Sequence, residues 1–481
     1  MSAELELLVE VTDLAEGRSA YAEARFVRRV HEDLVVRNGA VERAEIETSE
    51  GIGVRVRSGG GWGFAATRDV SRAGAERTLS RALALAEAAG DGGSRPRLDE
   101  PPARGHWAGA CQIDPFALSL DEKLGLLAAA EAALRGDDRL VRTDAAASVT
   151  RVTSAFASTD GAACTQEHTE CGAGVAAAAL GETGLQTRTY PSAHGGLARQ
   201  AGWEHVLALD LAGNAPRVAS EAVELLTAPA CPSGTATIVL GAEQLALQIH
   251  ESIGHALELD RMQLGEAGYA GTSWVQPSDL GTLRYGSEHL TITADAMLAG
   301  GLGTFGWDDE GTAARRAVLV DRGTLRGALS DRESAAVAGL PESTACARAA
   351  GFDRQPVVRM TNVSLEPGEA GSLADLLADT GEGLYLETNR SWSIDDRRLH
   401  FQFATEVAYE ITGGTLGRLL RSPSYAGVTP RFWSSLDAVC GPDEWSLWGV
   451  TNCGKAEPGQ TMAVSHGAAP ARFRDIEVGV A

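Results

Sequence analysis

The stretch Gln248-Ile249-His250-Glu251-Ser252-Ile253-Gly254-His255 puts two imidazoles and a carboxylate within six residues, from His250 to His255. A neutral imidazole nitrogen binds borderline metals, and a carboxylate beside such a ligand can take a proton from a metal-activated water. The zinc-hydrolase pattern HExxH spaces its two His four apart, on one helix face. Here the spacing is five. Five residues of ideal α-helix turn through about 500°, leaving the rings about 140° apart. A single π-type turn, with i→i+5 bonding, would restore a common face, and Gly254 inside it would ease the distortion. His250 and His255 are thus candidate metal ligands and Glu251 a candidate general base. The competing reading is two unrelated histidines in an amphipathic helix. With 10 His in 481 residues, chance rarely produces this offset.

A tetrahedral catalytic site needs a third protein ligand and one open position. Glu258 and Asp260 lie close by in sequence; Cys453, within Gly449-Val450-Thr451-Asn452-Cys453-Gly454-Lys455, is a distant thiolate candidate. Taken alone, Cys453 reads as a small buried hydrophobe. Arg359 and Asn362 are candidates for binding a substrate carbonyl or carboxylate, or else satisfy strand-end backbone. His400, in the alternating run Leu399–Phe403, is a weaker cleft candidate, and the more ordinary reading is half-buried core. Asp308-Asp309-Glu310 reads first as a solvated turn.

Three other patterns fail on context. Gly301-Leu302-Gly303-Thr304-Phe305-Gly306 fits GxGxxG, but an acidic, non-helical segment follows where a dinucleotide fold needs a helix. Gly449 to Ala456 lacks the terminal Ser/Thr of a phosphate-binding loop. No GxSxG is present, so a serine hydrolase of the elbow type has no support.

The elements that must carry these residues follow from periodicity. Ala40–Thr48 and Gly51–Arg57 alternate as half-buried strands do, and Gly59-Gly60-Gly61 turns the chain into Trp62–Thr67. Ser71 opens a helical stretch that stops at Gly90. Residues 91–105, with Pro96, Pro101 and Pro102, read as a linker. Ser119 and Glu122 form a capping box for a helix running to Gly136. Strands are expected at 141–158 and 162–170. Thr227–Gly234 marks a boundary between an N-terminal α/β region, 1–228 (sub-boundary near 91–115), and a C-terminal domain, 229–481. Beyond it come a strand at 235–240, a helix over about 242–259, and strand-like runs at 289–294, 317–321, 324–329, 357–364, 399–411 and 415–420. Asp321-Arg322-Gly323 and Thr412-Gly413-Gly414 read as hairpin turns. The expected class is α+β, with a β-rich, antiparallel or barrel-like C-terminal domain carrying the His-containing helix.

Composition narrows the function. Lys+Arg 42 against Asp+Glu 65 gives a net charge of −23, which repels phosphate backbones and argues against a nucleic-acid partner. Apolar stretches such as Gly172–Leu180 are about half a membrane span, and no signal-peptide pattern is visible at the start. Seven Cys with no CxxC pair fit free thiols in a reducing compartment. A cytoplasmic protein with no membrane partner is expected.

HESIGHALELD, Trp307–Gly311, Arg359-Met360-Thr361-Asn362 and the late Asn452-Cys453-Gly454-Lys455 together resemble the TldD/PmbA family of metallopeptidases, also called modulators of DNA gyrase. The run from Gly51 to Ser71 is similar to that family's opening domain, so the resemblance spans most of the chain. It implies a TldD-like active subunit: His250, His255 and Cys453 as zinc ligands, Glu251 as general base, and Asp308–Glu310 near the cleft. Asn452 stands where much of the family has Thr or Ser. The likeness further implies small or unfolded peptide substrates and a chamber formed by a homodimer, or by a heterodimer with a PmbA/TldE-like subunit. Two rival roles share these features: a tailoring amidase in a biosynthetic pathway, and a catalytically silent partner, against which retention of the motif argues.

Overall fold

The computed structural model describes residues 2–90, 97–182, 184–193, 195–263 and 271–480. Of the expected linker, residues 91–96 lie outside the described residues. The N-terminal half is organised by one large sheet. Its spine is four long antiparallel strands in the order Ala40–Ser58, Tyr21–Arg37, Leu140–Ser158 and Ala163–Gly181. Gly61–Thr67 extends one side. The outer edge of Ala163–Gly181 takes three short strands in succession: Arg104–Ala108, Leu197–Gln200 and Gly184–Tyr190.

Alternation along these strands separates two faces. Ala22, Ala24, Phe26, Val54 and Val56 bury against Leu5, Leu8 and Val11 of helix Ala3–Ala15 and Leu79 and Ala82 of helix Arg72–Ala89. Further along, Leu34, Val36, Ala145, Ala147 and Val149 pack against helices Leu120–Leu134 and Leu211–Glu224. Ser119 and Glu122 form the expected reciprocal cap of the third of these helices. The opposite face carries Arg29, His31, Thr150, His168 and Glu170, and looks across a cavity at the C-terminal half.

In that half a sheet closes on itself. Gly383–Ile394, Gly234–Leu240, Ala471–Val480, Pro423–Val428 and His400–Thr412 pair in order, and the last pairs back to the first. The barrel is filled by aromatic side chains, with Phe432 stacked on Phe473 at 4.2 Å between centroids. Both sequence-read hairpins are present: Arg322 and Gly323 turn one, Gly413 and Gly414 the other, all at positive φ. Strand Gly234–Leu240 leaves the barrel through Gly241 into helix Ala242–Ile249. A separate hairpin, Ser446–Lys455 with Gln460–Ala468, lies beside that helix. The α+β organisation and the barrel-like sheet are as expected.

The two halves are joined by buried polar contacts. Arg55 pairs with Glu310 at 2.6 Å, Arg25 with Asp309 at 3.1 Å, and the Gln166 amide accepts from the backbone of Gly306 and Trp307. Asp308 accepts from the backbone N–H groups of Glu310, Thr312 and Ala347. The acidic segment is therefore a buried clasp and not a solvated turn, although Asp308 and Asp309 do border the cavity between the halves.

Candidate metal centre

Helix Ala242–Ile249 passes directly into a π turn over His250–Gly254, closed by the His255 N–H bonding the His250 carbonyl. The five-residue spacing demanded such a turn, and it brings the two rings to 4.7 Å between centroids. A wide turn strains the normal bonding pattern, and neighbouring side chains make up for it. Ser252 Oγ donates to the Gln248 carbonyl at 2.6 Å, and the Tyr285 hydroxyl to the Ser252 carbonyl at 2.6 Å. Gly254 has φ −52° and ψ −60°, ordinary helical values, so backbone freedom is not its purpose. A Cβ there would lie 2.1 Å from Met360 Sδ. Close packing explains the glycine.

His250, His255 and Cys453 each offer a ligand atom, and these atoms lie within 4.8 Å of one another, all buried. Cys453 Sγ is 3.6 Å from His255 Nε2. Tetrahedral zinc bonds of about 2.0–2.1 Å to N and about 2.3 Å to S would separate those two atoms by about 3.5 Å.

Hydrogen bonding decides which nitrogens are free. The Val363 carbonyl only accepts, so His466 Nδ1 carries a proton toward it at 2.8 Å. Burial and the neighbouring His250 hold His466 well below the usual histidine range, so it is neutral and its Nε2 accepts from His250 Nδ1 at 2.8 Å. His250 Nε2 is then a lone pair. Burial pushes His250 itself down to about 4. His255 Nδ1 donates to Glu258 at 3.0 Å, which leaves its Nε2 as the second lone pair. Burial alone would raise the Cys453 thiol, but His255 and the Arg359 guanidinium bring it below its ordinary value. The donor set fits a metal.

Glu258, weighed as a ligand, instead orients His255 and is charge-balanced by Arg261 at 2.5 Å and Lys455 at 3.4 Å. Asp260 pairs with Lys455 at 2.8 Å. Glu251 borders a cavity of about 250 Å³ that also reaches His250, His255, Trp392 and Thr451–Gly454, and Arg398 holds its Oε2 at 2.6 Å.

The three residues offered as substrate binders lie outside the lining of the metal-site cavity. Arg359 is fully buried and donates to the Cys453 and Gln460 carbonyls, fixing the loop that carries the thiol. Asn362, also fully buried, joins the Asp295 carbonyl, Thr304 and the Gly303 N–H. Neither borders the metal-site cavity. His400 is exposed on the barrel and paired with Asp395 at 2.8 Å, away from that cavity. Gly301 and Gly303 pack against Asn362 and the Thr361 backbone, where a Cβ would come within 2.4 Å.

Family models of PmbA/TldA metallopeptidases match the chain in order: domain 1 over residues 22–86, the central domain over 113–228 and the C-terminal domain over 233–479. The chain belongs to the PmbA/TldD metallopeptidase family. Among curated PmbA/TldD relatives, a metalloprotease of Methanothermobacter thermautotrophicus is 30% identical over 467 residues, covering 96% of each chain. A metalloprotease of Methanocaldococcus jannaschii is 28% identical over 465 residues, again covering 96% of each. The fold is shared with TldE from Thermococcus kodakarensis, with a TM-score of 0.75 at 15% identity over 99% of this chain and 100% of that one. A putative modulator of DNA gyrase from Thermotoga maritima gives 0.76 at 16% identity, covering 98% and 99%. Among the described residues no helix is long and apolar enough to cross a membrane.

His466, Arg398 and Lys455 were not singled out by sequence reasoning. Lys455 sat inside the Asn452–Lys455 motif, where its burial beside Asp260 was the missing information. His466 has no spacing relation to the helix at all. It is brought close because strand Gln460–Ala468 packs against the helix Ala242–Ile249.

Proposed function

We propose that this PmbA/TldD protein is a zinc-dependent peptidase acting on small or unfolded peptides. The observation that carries the reading is the buried His250–His255–Cys453 set, opening beside Glu251 onto a cavity of about 250 Å³. Three protein ligands with an accessible side are the pattern of a catalytic rather than a structural zinc site. A zinc ion held there would supply Lewis acidity, polarising a carbonyl and making water a better nucleophile near neutral pH.

The chain's own residues do the rest. His466 and Glu258 hold the two rings in the tautomers that present Nε2. Arg359 fixes the backbone of Cys453. Arg398 fixes Oε2 of Glu251, and we assign Oε1 to the proton: it receives it from the attacking water and returns it to the leaving nitrogen. A cavity of about 250 Å³ is far too small for a folded domain, which supports small or unfolded substrates. Activity as a dimer, with itself or with a PmbA/TldE-like subunit, is part of the proposal.

Metal analysis of the purified protein, with cleavage of a peptide library alone and beside a candidate partner subunit, tests this reading. One zinc per chain and metal-dependent cleavage are expected. Undiminished zinc in Cys453→Ser would remove Cys453 from the ligand set, and a zinc-loaded protein cleaving no peptide in either setting would overturn the function.

A further inference from the structure

Glu243, Ala246, Leu247, His250 and Glu251 all border the cavity. Their spacing of three, four, seven and eight residues is one face of a helix, so this helix forms the floor of a groove. At one end lies the metal centre. At the other, seven residues or about 10 Å away, lies Glu243. Between them the floor is apolar.

Glu243 is an unusual group to find there. Ser192 Oγ donates to its Oε1 at 3.2 Å and the Asn389 N–H to its Oε2 at 3.1 Å. The Ala193 backbone also hydrogen-bonds this carboxylate; all of these partners are neutral, and among the described residues no Lys or Arg forms an ion pair with it. The guanidinium behind this wall, Arg188, is already shared by Glu221, Glu387 and Glu406 at 2.9, 2.8 and 3.1 Å. Glu243 stands in the first turn of its helix, where backbone N–H groups offset part of its charge. That offset is incomplete. Burial, with Glu387 adding repulsion, still pushes the carboxyl up to about 7. A half-buried carboxylate held by neutral donors, repelled by Glu387 and bordering the groove, lacks a counter-cation that a ligand can bring.

We propose that Glu243 is a specificity subsite for an alkylammonium group on the peptide substrate, placed about three extended residues from the scissile bond. This rests on the peptidase reading and names its substrate class. Two sources share the chemistry: a peptide's α-ammonium, and a lysine side chain whose own reach brings its residue closer to the bond. An ammonium there replaces water with a charge-assisted hydrogen bond in a confined site, which is the kind of contact worth about 10- to 100-fold in affinity.

The test uses zinc-loaded full-length protein and internally quenched peptides in matched pairs: free against acetylated N-terminus, and lysine against norleucine, scanned over the four positions before and after the bond. The wild type should favour a cationic member by about 10- to 100-fold in kcat/KM, mostly through KM. In Glu243→Gln that ratio should fall to within about twofold, and Glu243→Asp should restore part of it. Selectivity in the amine pair assigns the α-ammonium, and selectivity in the lysine pair the side chain; either supports the subsite. No cationic preference in the wild type, or an undiminished one in Glu243→Gln, overturns it. Calorimetric binding of the same pairs to metal-free protein separates the two readings. Glu243-dependent binding preference without any cleavage keeps the subsite and sinks the peptidase.

Discussion

His466 Nε2 lies 2.8 Å from His250 Nδ1, and the Val363 carbonyl holds the other His466 nitrogen at 2.8 Å. A carbonyl at one end thus determines the tautomer of a ring two bonds further on. Outer partners of this kind typically contribute 10- to 100-fold in metal affinity. His466→Leu should weaken zinc binding by about that factor, measured by competition with a chromophoric chelator. His466→Gln, which keeps an acceptor near the position of Nε2, should recover part of the loss. Equal affinity in the Leu variant would show that packing alone orients His250.

Glu251 occupies the one position in the helix that sits beside a ligand, borders the cavity and is not itself a ligand. Glu251→Gln keeps the shape and loses the base. Zinc content should be unchanged while hydrolysis falls by about 10²-fold or more. Peptide cleavage at the parental rate would sink the assignment.

Gly254→Ala tests the packing that holds the π turn. The added Cβ would meet Met360 Sδ at 2.1 Å, so something must move, and overpacking of this kind costs about 1–3 kcal/mol. The gain in helix propensity is about 1 kcal/mol and would not offset it. Chemical denaturation should show the loss, and zinc affinity should fall because His255 is the next residue. Met360→Ala should relieve most of the effect of Gly254→Ala in the double variant. Additive losses would place the fault elsewhere.

The angle argument made the π turn legible in the sequence, because 3.6 residues per turn cannot be reconciled with a five-residue spacing and one metal. Helices with clear caps, such as that following Ser119, were legible for the same local reason. What was missed depends on contacts far apart in the chain. Arg359 and Asn362 could be read from sequence as substrate binders or as residues satisfying backbone at strand ends; here they bond backbone groups about 60 to 100 residues away, those of Gln460 and Cys453 for Arg359 and of Asp295 and Gly303 for Asn362. Helix Leu211–Glu224, despite its amphipathic pattern, went unread beside the Thr227–Gly234 boundary. Asp308–Glu310 read as exposed from its charge alone, since the arginines that bury it, Arg25 and Arg55, come from the first sheet.

Glu243 carries a pH-dependent stability signature that needs no substrate. Its ordinary value of 4.5 rises to about 7 on folding, chiefly through burial. Between those two values the folded chain binds more protons than the unfolded one, so this group's contribution to stability falls as pH rises. Below about pH 4.5 the cost is absent; above about pH 7 it is present in full. Glu243→Gln removes an ionisable group but keeps the amide acceptor for Ser192 or Asn389. The variant should therefore gain about 1–3 kcal/mol at pH 8, a rise of about 2 °C or more in Tm, and little at pH 4.5. Thermal denaturation of metal-free protein at both pH values measures the difference, in which the other titrating groups cancel. A gain that is the same at both would mean that the carboxyl is not strained by its burial. A gain confined to high pH would mark Glu243 as a residue kept at a cost to stability, the pattern expected where a half-buried charge awaits a ligand.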